Sequence, residues 1–133
     1  MGKNTNDTLL QKHELDIGTV YFYNNYVIVE IKKGIVLNFE KAAPLFMLGK
    51  QYYGNKTPFV YISNRINSYS FEPTSHFKSA ELFPNLKGVA VVTYNAVNEN
   101  VARLEQAFLD KPAQIFHSLD EAIEWVNEII ISD

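Results

Sequence analysis

The alternation of apolar and polar positions divides the chain into a polar start and one folded region. Residues 1–13 are polar and have no hydrophobic period, which predicts a flexible tail, whereas residues 14–133 carry regular apolar patterns that predict a single domain. Leu15 to Tyr23 is rich in β-formers and predicts a strand, bulged at Gly18. Two asparagines follow and favour a tight turn, so Tyr26 to Lys32 is predicted to complete a hairpin.

A helical period follows the hairpin. Apolar or small residues recur at helical spacing in one stripe: Ala42, Leu45, Phe46, Gly49, Tyr52 and Tyr53. Asn38 is suited to cap the start of this helix, and Gly54 supplies its end. Pro44 lacks the backbone N–H that a helix interior uses, so either the helix begins near Pro44 or it kinks there. Gly49 on the buried stripe predicts a close approach between helix and sheet.

The rest of the chain alternates strands with helices. Pro58 to Ile62 predicts a central strand, and Gly88 to Tyr94, apolar on both faces, predicts a buried parallel strand. The other predicted elements are a short helix capped by Thr74 or Ser75, a helix with apolar positions Val97, Val101, Leu104 and Phe108, a strand at 113–116 and a last helix behind a capping box at Ser118. This order predicts an α/β fold with a single mixed β-sheet, in which an opening antiparallel hairpin precedes mostly parallel strands flanked by helices.

Composition narrows the class of protein. The chain has 133 residues, of which 47% are hydrophobic and 20% charged, as in a globular domain. A net charge of −3 is too balanced for a nucleic-acid binder, so no nucleic-acid partner is expected. The chain has no cysteine, which excludes disulfides, thiolate zinc sites and cysteine nucleophiles. No signal-peptide pattern is present and the longest apolar run, 42–48, is too short to span a membrane, so we expect a cytoplasmic protein without a membrane span.

Motifs for catalysis and cofactor binding are missing from the sequence. The six glycines form neither a GxGxxG fingerprint nor a P-loop, and no GxSxG elbow is present. His13, His76 and His117 are scattered and lack the paired spacing of zinc sites. We therefore predict a protein that is not an enzyme and that has no cofactor and no bound metal. An enzyme acting through His76, Arg65 and Tyr69 is the least favoured alternative.

One polar stretch, from Ser63 to Pro73, follows a predicted central strand. In open α/β sheets, ligands bind beyond the carboxyl ends of the strands. The candidate binding residues in this stretch and just beyond it are Asn64, Arg65, Asn67, Ser68, Tyr69, Ser70 and His76. A scaffold role is the alternative, since Asn and Ser stabilise turns and an arginine can donate to backbone carbonyls. The sequence leaves both roles open.

Two segments of the chain resemble a known group of proteins. The run YISNRINSYS at 61–70, with Pro73 beyond it, and the segment LDEAIEW at 119–125 resemble small uncharacterised bacterial proteins of the SpoIIAA-like group. The similarity covers about residues 14–131. That group is similar in fold to STAS domains, the sulfate-transporter and anti-sigma-factor-antagonist modules, and to CRAL-TRIO lipid-transfer domains. The resemblance implies a mixed sheet flanked by helices.

The resemblance also implies a regulatory role. STAS antagonists dock a partner kinase and are switched by phosphorylation of a serine in an Asp-Ser/Thr-Ser-Gly motif between a strand and the next helix. The equivalent stretch here offers Ser63, Ser68 and Ser70 without that motif, so the resemblance assigns no phosphoserine to a position. We expect a non-enzymatic STAS-like regulatory module that binds an unidentified protein partner.

Two further expectations concern other surfaces. The alternative function is a carrier of a small apolar, lipid-like ligand, as in CRAL-TRIO domains. Its sequence support is an aromatic and Met-bearing surface: Leu45, Phe46, Met47, Tyr52 and Tyr53. Such a stripe belongs more often to a core than to a pocket. The tyrosine-rich hairpin offers contact area for a homodimer.

Overall fold

The architecture is given by a computed structural model that describes residues 9–67, 70–71, 82–96, 99–100, 103 and 112–131. Its strands are β1 Gln11–Leu15, β2 Gly18–Phe22, β3 Tyr26–Ile31, β4 Val36–Leu37, β5 Phe59–Arg65, β6 Ser70–Phe71, β7 Leu86–Thr93 and β8 Ala113–Phe116. Its helices are α1 Phe39–Tyr53 and α2 Leu119–Ile131. The described residues 96, 99–100 and 103, between β7 and β8, are helical as well.

Six strands form one sheet in the order β1-β2-β3-β5-β7-β8. β1, β2 and β3 pair antiparallel, whereas β3, β5, β7 and β8 run parallel to one another. This arrangement confirms the predicted α/β fold, a mixed sheet that is antiparallel at its start and parallel afterwards. β4 and β6 pair in a separate parallel two-stranded sheet that the sequence patterns did not predict.

Apolar side chains are buried on both faces of the sheet. On one face, Leu45 and Tyr53 of α1 lie in a cluster with residues of β2 and β3. On the other face, Ala122 and Val126 of α2 lie in a cluster with residues of β5 and β7. Strands covered on both sides read as nearly continuous apolar runs, which is why β3, β5 and β7 were found from the sequence.

The aromatic stripe of α1 belongs mainly to the core. Leu45 and Tyr53 are buried, Phe46 and Tyr52 are partly buried against the same cluster, and Met47 is exposed. The described residues therefore give this stripe a packing role and add no support for a carrier of an apolar ligand.

The predicted ends of α1 are confirmed. The N–H of Lys41 donates to Oδ1 of Asn38 at 2.9 Å, and Gly54 follows the last helical residue. The helix begins at Phe39 and continues through Pro44, so the alternative in which it begins near the proline is wrong. Because the Asn38 cap satisfies a backbone N–H of the first turn, the helix can start before the proline.

Gly49 makes the close approach expected of it, although to a different neighbour. A Cβ at this position would lie 3.0 Å from Cζ of Phe83, which lies in the segment before β7 rather than in the sheet. The Phe83 ring packs edge-on against Phe59 of β5, with ring centroids 5.4 Å apart. Gly49 therefore reaches the sheet through an intervening aromatic ring.

The start of the fold differs from the sequence prediction. β1 begins at Gln11, inside the segment predicted as a tail, because residues 11–15 pair with β2. The bulged strand predicted from Leu15 to Tyr23 is in fact parts of β1 and β2, joined by a turn at residues 16–17. β1 lies at the sheet edge and is mostly polar, so its sequence has no apolar alternation by which it could be recognised.

The last helix agrees with its predicted cap. The N–H of Glu121 donates to Oγ of Ser118 at 3.2 Å, while the Glu121 carboxylate accepts from the N–H of His117 at 3.3 Å. The short helix predicted after Thr74 or Ser75, and the apolar positions used for the helix before β8, lie outside the described residues. Within the described part of the chain, no helix is long and apolar enough to cross a membrane.

Tyr53 ties α1 to the turn between β2 and β3. Its hydroxyl lies 2.6 Å from the carbonyl oxygens of both Tyr23 and Tyr26, and its ring stacks on Phe59 with centroids 4.4 Å apart. Burial raises the pKa of the Tyr53 phenol far above its ordinary value, because the phenolate would lose its hydration. The neutral hydroxyl is therefore the form that the fold requires.

We expect the substitution Gly18→Ala to destabilise the fold more than Gly34→Ala. Gly18 has φ +157°, and a Cβ there would lie 2.9 Å from the Ile31 Cα and closer still to the Glu30 carbonyl oxygen. Gly34 has φ +82° with no atom within 4 Å of such a Cβ, so it is a matched control that carries backbone strain alone, about 1–2 kcal/mol. Urea unfolding of both variants measures the difference. An equal loss of unfolding free energy would show that the Gly18 contact can relax.

The stabilising effect of the Tyr53 hydroxyl is expected to vanish in alkali. Because the folded-state pKa is raised, the contribution is complete below the unfolded-state pKa of about 10 and declines as pH rises through the folded value. The difference in unfolding free energy between wild type and Tyr53→Phe, measured by urea denaturation from pH 8 upwards, should therefore shrink above about pH 10. A difference that is independent of pH would contradict the buried, neutral phenol.

Candidate functional site

The predicted polar stretch begins inside the central strand. β5 continues to Arg65 because its parallel pairing persists: Ser63 lies opposite Val29 of β3, and Arg65 lies opposite Thr93 of β7. Ser63, Asn64 and Arg65 are only 3%, 3% and 6% exposed. The central strand predicted to end at Ile62 therefore continues to Arg65, because its pairing with β7 extends through these polar residues.

Asn64 is the centre of a hydrogen-bonded chain of side chains at the carboxyl ends of the parallel strands, which we call the carboxyl edge of the sheet. Its Nδ2 donates to Oε2 of Glu30 at 2.8 Å, and the hydroxyl of Tyr94 donates to its Oδ1 at 2.6 Å. A longer contact of 3.5 Å joins the Tyr21 hydroxyl to the other Glu30 oxygen. We call Tyr21, Glu30, Asn64 and Tyr94 the carboxyl-edge network. It links β2, β3, β5 and the residue after β7.

Strand alternation places this network on the α2 side of the sheet. Asn64 shares its face of β5 with Val60 and Ile62, which lie in the cluster under α2. The network therefore continues the apolar core towards the carboxyl edge, where the buried amide must be satisfied by partners. Burial, together with the Glu30 charge, raises the pKa of the Tyr94 phenol, so it remains the donor to Asn64 at neutral pH.

Ser63 and Arg65 lie on the opposite, α1 side of β5. Nε of Arg65 donates to Oγ of Ser63 at 3.1 Å, a bond between two residues on the same strand face. Beyond the strand, Nδ2 of Asn67 donates to the carbonyl oxygen of Ile31 at 3.2 Å, at the end of β3. These bonds are of the scaffold kind that the sequence analysis kept open beside a contact role.

The structure places the predicted site residues in different surroundings. Asn64 and Arg65 are buried and Asn67 is partly buried. Ser70 belongs to β6. Ser68, Tyr69 and His76 lie outside the described residues, so their contact role stays a prediction.

Three residues at this edge were missed by the sequence reasoning. Tyr94 directly follows the buried strand β7, and the rule that selected the residues after β5 applies equally to it. Glu30 is the one charged residue within the run of β3, and a lone charge in an apolar strand points to a partner. Ile66 gave no signal, because an isolated apolar residue in a polar stretch is ordinary.

Ile66 and Tyr94 form an exposed pair beside the network. They are 53% and 51% exposed and occupy the positions immediately after Arg65 and Thr93, which lie opposite each other in β5 and β7. Both residues therefore directly follow the carboxyl ends of adjacent paired strands, which lie about 4.8 Å apart. We call Ile66 and Tyr94 the docking pair.

The variant Asn64→Asp is expected to destabilise the fold in a pH-dependent way. The new carboxylate would face the Glu30 carboxylate, so the loss of unfolding free energy at neutral pH should be roughly 3 kcal/mol. Like-charge repulsion raises the folded-state pKa of the new group, so the deficit relative to wild type should be present at neutral pH and diminish as pH falls through that raised pKa.

Tyr94→Phe is the control for that experiment. It removes one hydrogen bond to Asn64 without adding charge, and should cost about 1 kcal/mol with no recovery in acid. Urea unfolding at several pH values distinguishes the two. A deficit of Asn64→Asp that does not change between neutral and acid pH would contradict the close approach of Asn64 and Glu30.

Comparison with known proteins supports the fold. No protein-family model matches the chain, and no curated protein sequence matches it. Among solved structures, the chain is similar to an uncharacterised protein of the DUF3478 family with a SpoIIAA-like fold from Shewanella loihica. The identity is 17%, the TM-score is 0.52, and the match covers 95% of this chain and 98% of that one. At this identity the likeness concerns the fold alone, and the SpoIIAA-like fold expected from the sequence is confirmed.

Proposed function

We propose that this chain is a non-enzymatic, STAS-like regulatory module that binds a protein partner through its carboxyl edge. The observation that carries the proposal is the docking pair, an exposed isoleucine and an exposed tyrosine that directly follow two paired central strands. The SpoIIAA-like fold supports it, because the resemblance to STAS domains implies a partner-binding role. A cytoplasmic location is part of the proposal, and its support is the cysteine-free sequence.

The docking pair has the chemistry of an interaction hot spot. A tyrosine offers a large ring and a hydroxyl with few rotatable bonds, and tyrosines are enriched among residues that dominate binding energy. The Tyr94 hydroxyl is already bonded to Asn64, so its orientation is set before a partner arrives. Such preorganisation lowers the entropic cost of association.

The strand residues that precede the docking pair are hydrogen-bonded to neighbouring strands. Asn64 is bonded to Glu30 of the neighbouring strand β3, and β5 is paired with β7 up to Arg65. A partner that covers Ile66 and Tyr94 would thus contact residues that directly follow hydrogen-bonded strands. A surface of this kind suits an apolar side chain of a partner protein, with a polar rim supplied by neighbouring side chains.

The test is the recovery of a partner by surface variants. A tagged chain, made in its own host, is isolated gently and the co-isolated proteins are quantified by mass spectrometry. A partner of the carboxyl edge should be recovered with wild type and at least about 10-fold less with Ile66→Asp, since a charge at the centre of an apolar contact costs 2 kcal/mol or more. Met47→Asp is the matched control, because Met47 is also an exposed apolar residue but lies on α1.

A folding control keeps the result decisive. The circular-dichroism melting curve of Ile66→Asp should match that of wild type, because the side chain is exposed. The variant Arg65→Ala is a poor probe, since Arg65 is buried and its loss would disturb the fold. Recovery of the same protein in equal amount by Ile66→Asp and wild type would exclude the docking pair as the binding surface.

A further inference from the structure

β1 is an edge strand of the six-stranded sheet. In the part of the chain that the structure describes, it pairs with β2 on one side and with no strand on the other. An unpaired edge presents backbone N–H and C=O groups to which a second strand can bond. The identity of that second strand can be argued from the side chains of β1 itself.

The backbone groups that face the free edge belong to Lys12 and Glu14. The N–H of Tyr23 donates to the carbonyl oxygen of Tyr26, so odd-numbered residues of β2 bond to β3 and even-numbered ones, such as Val20, bond to β1. Val20 lies opposite His13, whose backbone therefore faces β2. In an antiparallel ladder, the backbone N–H and C=O groups of successive residues point to alternate sides of the strand. Those of Lys12 and Glu14 therefore point away from β2, towards the free edge.

Lys12 and Glu14 carry opposite charges on one face of the strand. Their side chains are 50% and 69% exposed, and Nζ of Lys12 lies 3.5 Å from Oε2 of Glu14. The sheet holds both in place: the Thr19 hydroxyl donates to Glu14 at 2.9 Å, and Lys12 lies over the Tyr21 ring, 5.7 Å from its centroid. The edge thus presents one positive and one negative charge in a fixed order.

This pattern complements a second copy of itself. If two β1 strands pair antiparallel with His13 opposite His13, Lys12 of each chain lies opposite Glu14 of the other, and the charges alternate in sign across the junction. These are also the residues whose backbones face outwards, so each Lys12–Glu14 pair can exchange both backbone hydrogen bonds.

The neighbouring registers are opposed by charge. A shift that keeps the outward backbone groups paired places either Lys12 opposite Lys12 or Glu14 opposite Glu14, and like charges directly opposite are destabilising. Within β1 the charges therefore favour the register with His13 opposite His13; in the Glu14 register Lys12 would face Asp16, which lies in the turn after β1 rather than in the strand.

We propose that two copies of this chain associate through their β1 strands into a symmetric dimer with a continuous sheet across the two-fold axis. The contact is isologous and closes on itself, because it uses the β1 edge of both copies. This assignment differs from the tyrosine-rich hairpin predicted from the sequence, since Tyr26 of that hairpin is buried in the core. The dimer does not depend on the function proposed for the carboxyl edge.

Charge reversal tests the proposed register. Sedimentation velocity of the full chain at low ionic strength, over a concentration series up to millimolar, should show a monomer–dimer equilibrium for wild type. Lys12→Glu places glutamates opposite glutamates and should raise the dimer dissociation constant at least about 10-fold. Glu14→Lys should have the same effect with the opposite sign of charge.

Two combinations should restore association. In the double variant Lys12→Glu with Glu14→Lys, residues 12 and 14 of the two copies again carry opposite charges. In an equimolar mixture of the two single variants, each negatively charged β1 can pair with a positively charged one in a heterodimer. Lys56→Glu, an exposed charge reversal away from β1, is the control and should associate like wild type. Added salt should weaken the wild-type dimer, because exposed charge pairs are screened.

Either of two results would overturn the proposal. One is a wild-type chain that stays monomeric at the highest concentration. The other is a Lys12→Glu variant that associates as well as wild type while its circular-dichroism spectrum is unchanged. Failure of this dimer is distinguishable from failure of partner binding, since the readouts use different variants and no host protein is present.

Discussion

β5 is hydrogen-bonded to β7 up to its last residue, Arg65, and to β3 up to Ser63, and this constraint sets the character of the carboxyl edge. Parallel pairing with β3 and β7 brings Ser63, Asn64 and Arg65 into the interior although all three are polar. A buried amide or guanidinium is tolerated only if its hydrogen-bonding groups are satisfied. The buried polar side chains of β5 therefore require hydrogen-bonding partners such as Glu30, and the other residues of the site are arranged around these bonds.

The polar residues at the end of β5 find their hydrogen-bonding partners on opposite faces of the sheet. Asn64 turns to the α2 side, where Glu30 and Tyr94 complete its bonds, and Arg65 turns to the α1 side, where Ser63 accepts from it. One result is a hydrogen-bonded support below the exposed pair that follows the two strands. A polar strand end that resembles a binding segment in the sequence is thus buried, and the exposed residues beyond it, Ile66 and Tyr94, are the ones through which we propose that a partner binds.

The two halves of the sheet offer surfaces of different kinds. At the carboxyl ends of its parallel strands, the sheet presents side chains. At the lateral edge formed by β1, its antiparallel half presents backbone groups and an ordered pair of charges. Two strands, β2 and β3, separate β1 from β5, a spacing of about 14 Å at 4.8 Å per strand. A dimer through β1 would therefore leave the carboxyl edges of both copies accessible to a partner.

Local patterns in the sequence were sufficient to predict the mixed α/β sheet and the two capped helices. Periodicity and capping are local properties, so Asn38, Gly54 and Ser118 could be assigned without knowing the fold. The ends of the strands and the burial of the site residues depend on tertiary contacts. The end of β5 depends on what β3 and β7 offer in register, and β1 is a strand because β2 pairs with it rather than because of its own pattern. Burial of Asn64 and exposure of Ile66 are likewise set by neighbours distant in sequence, whose positions no local pattern specifies.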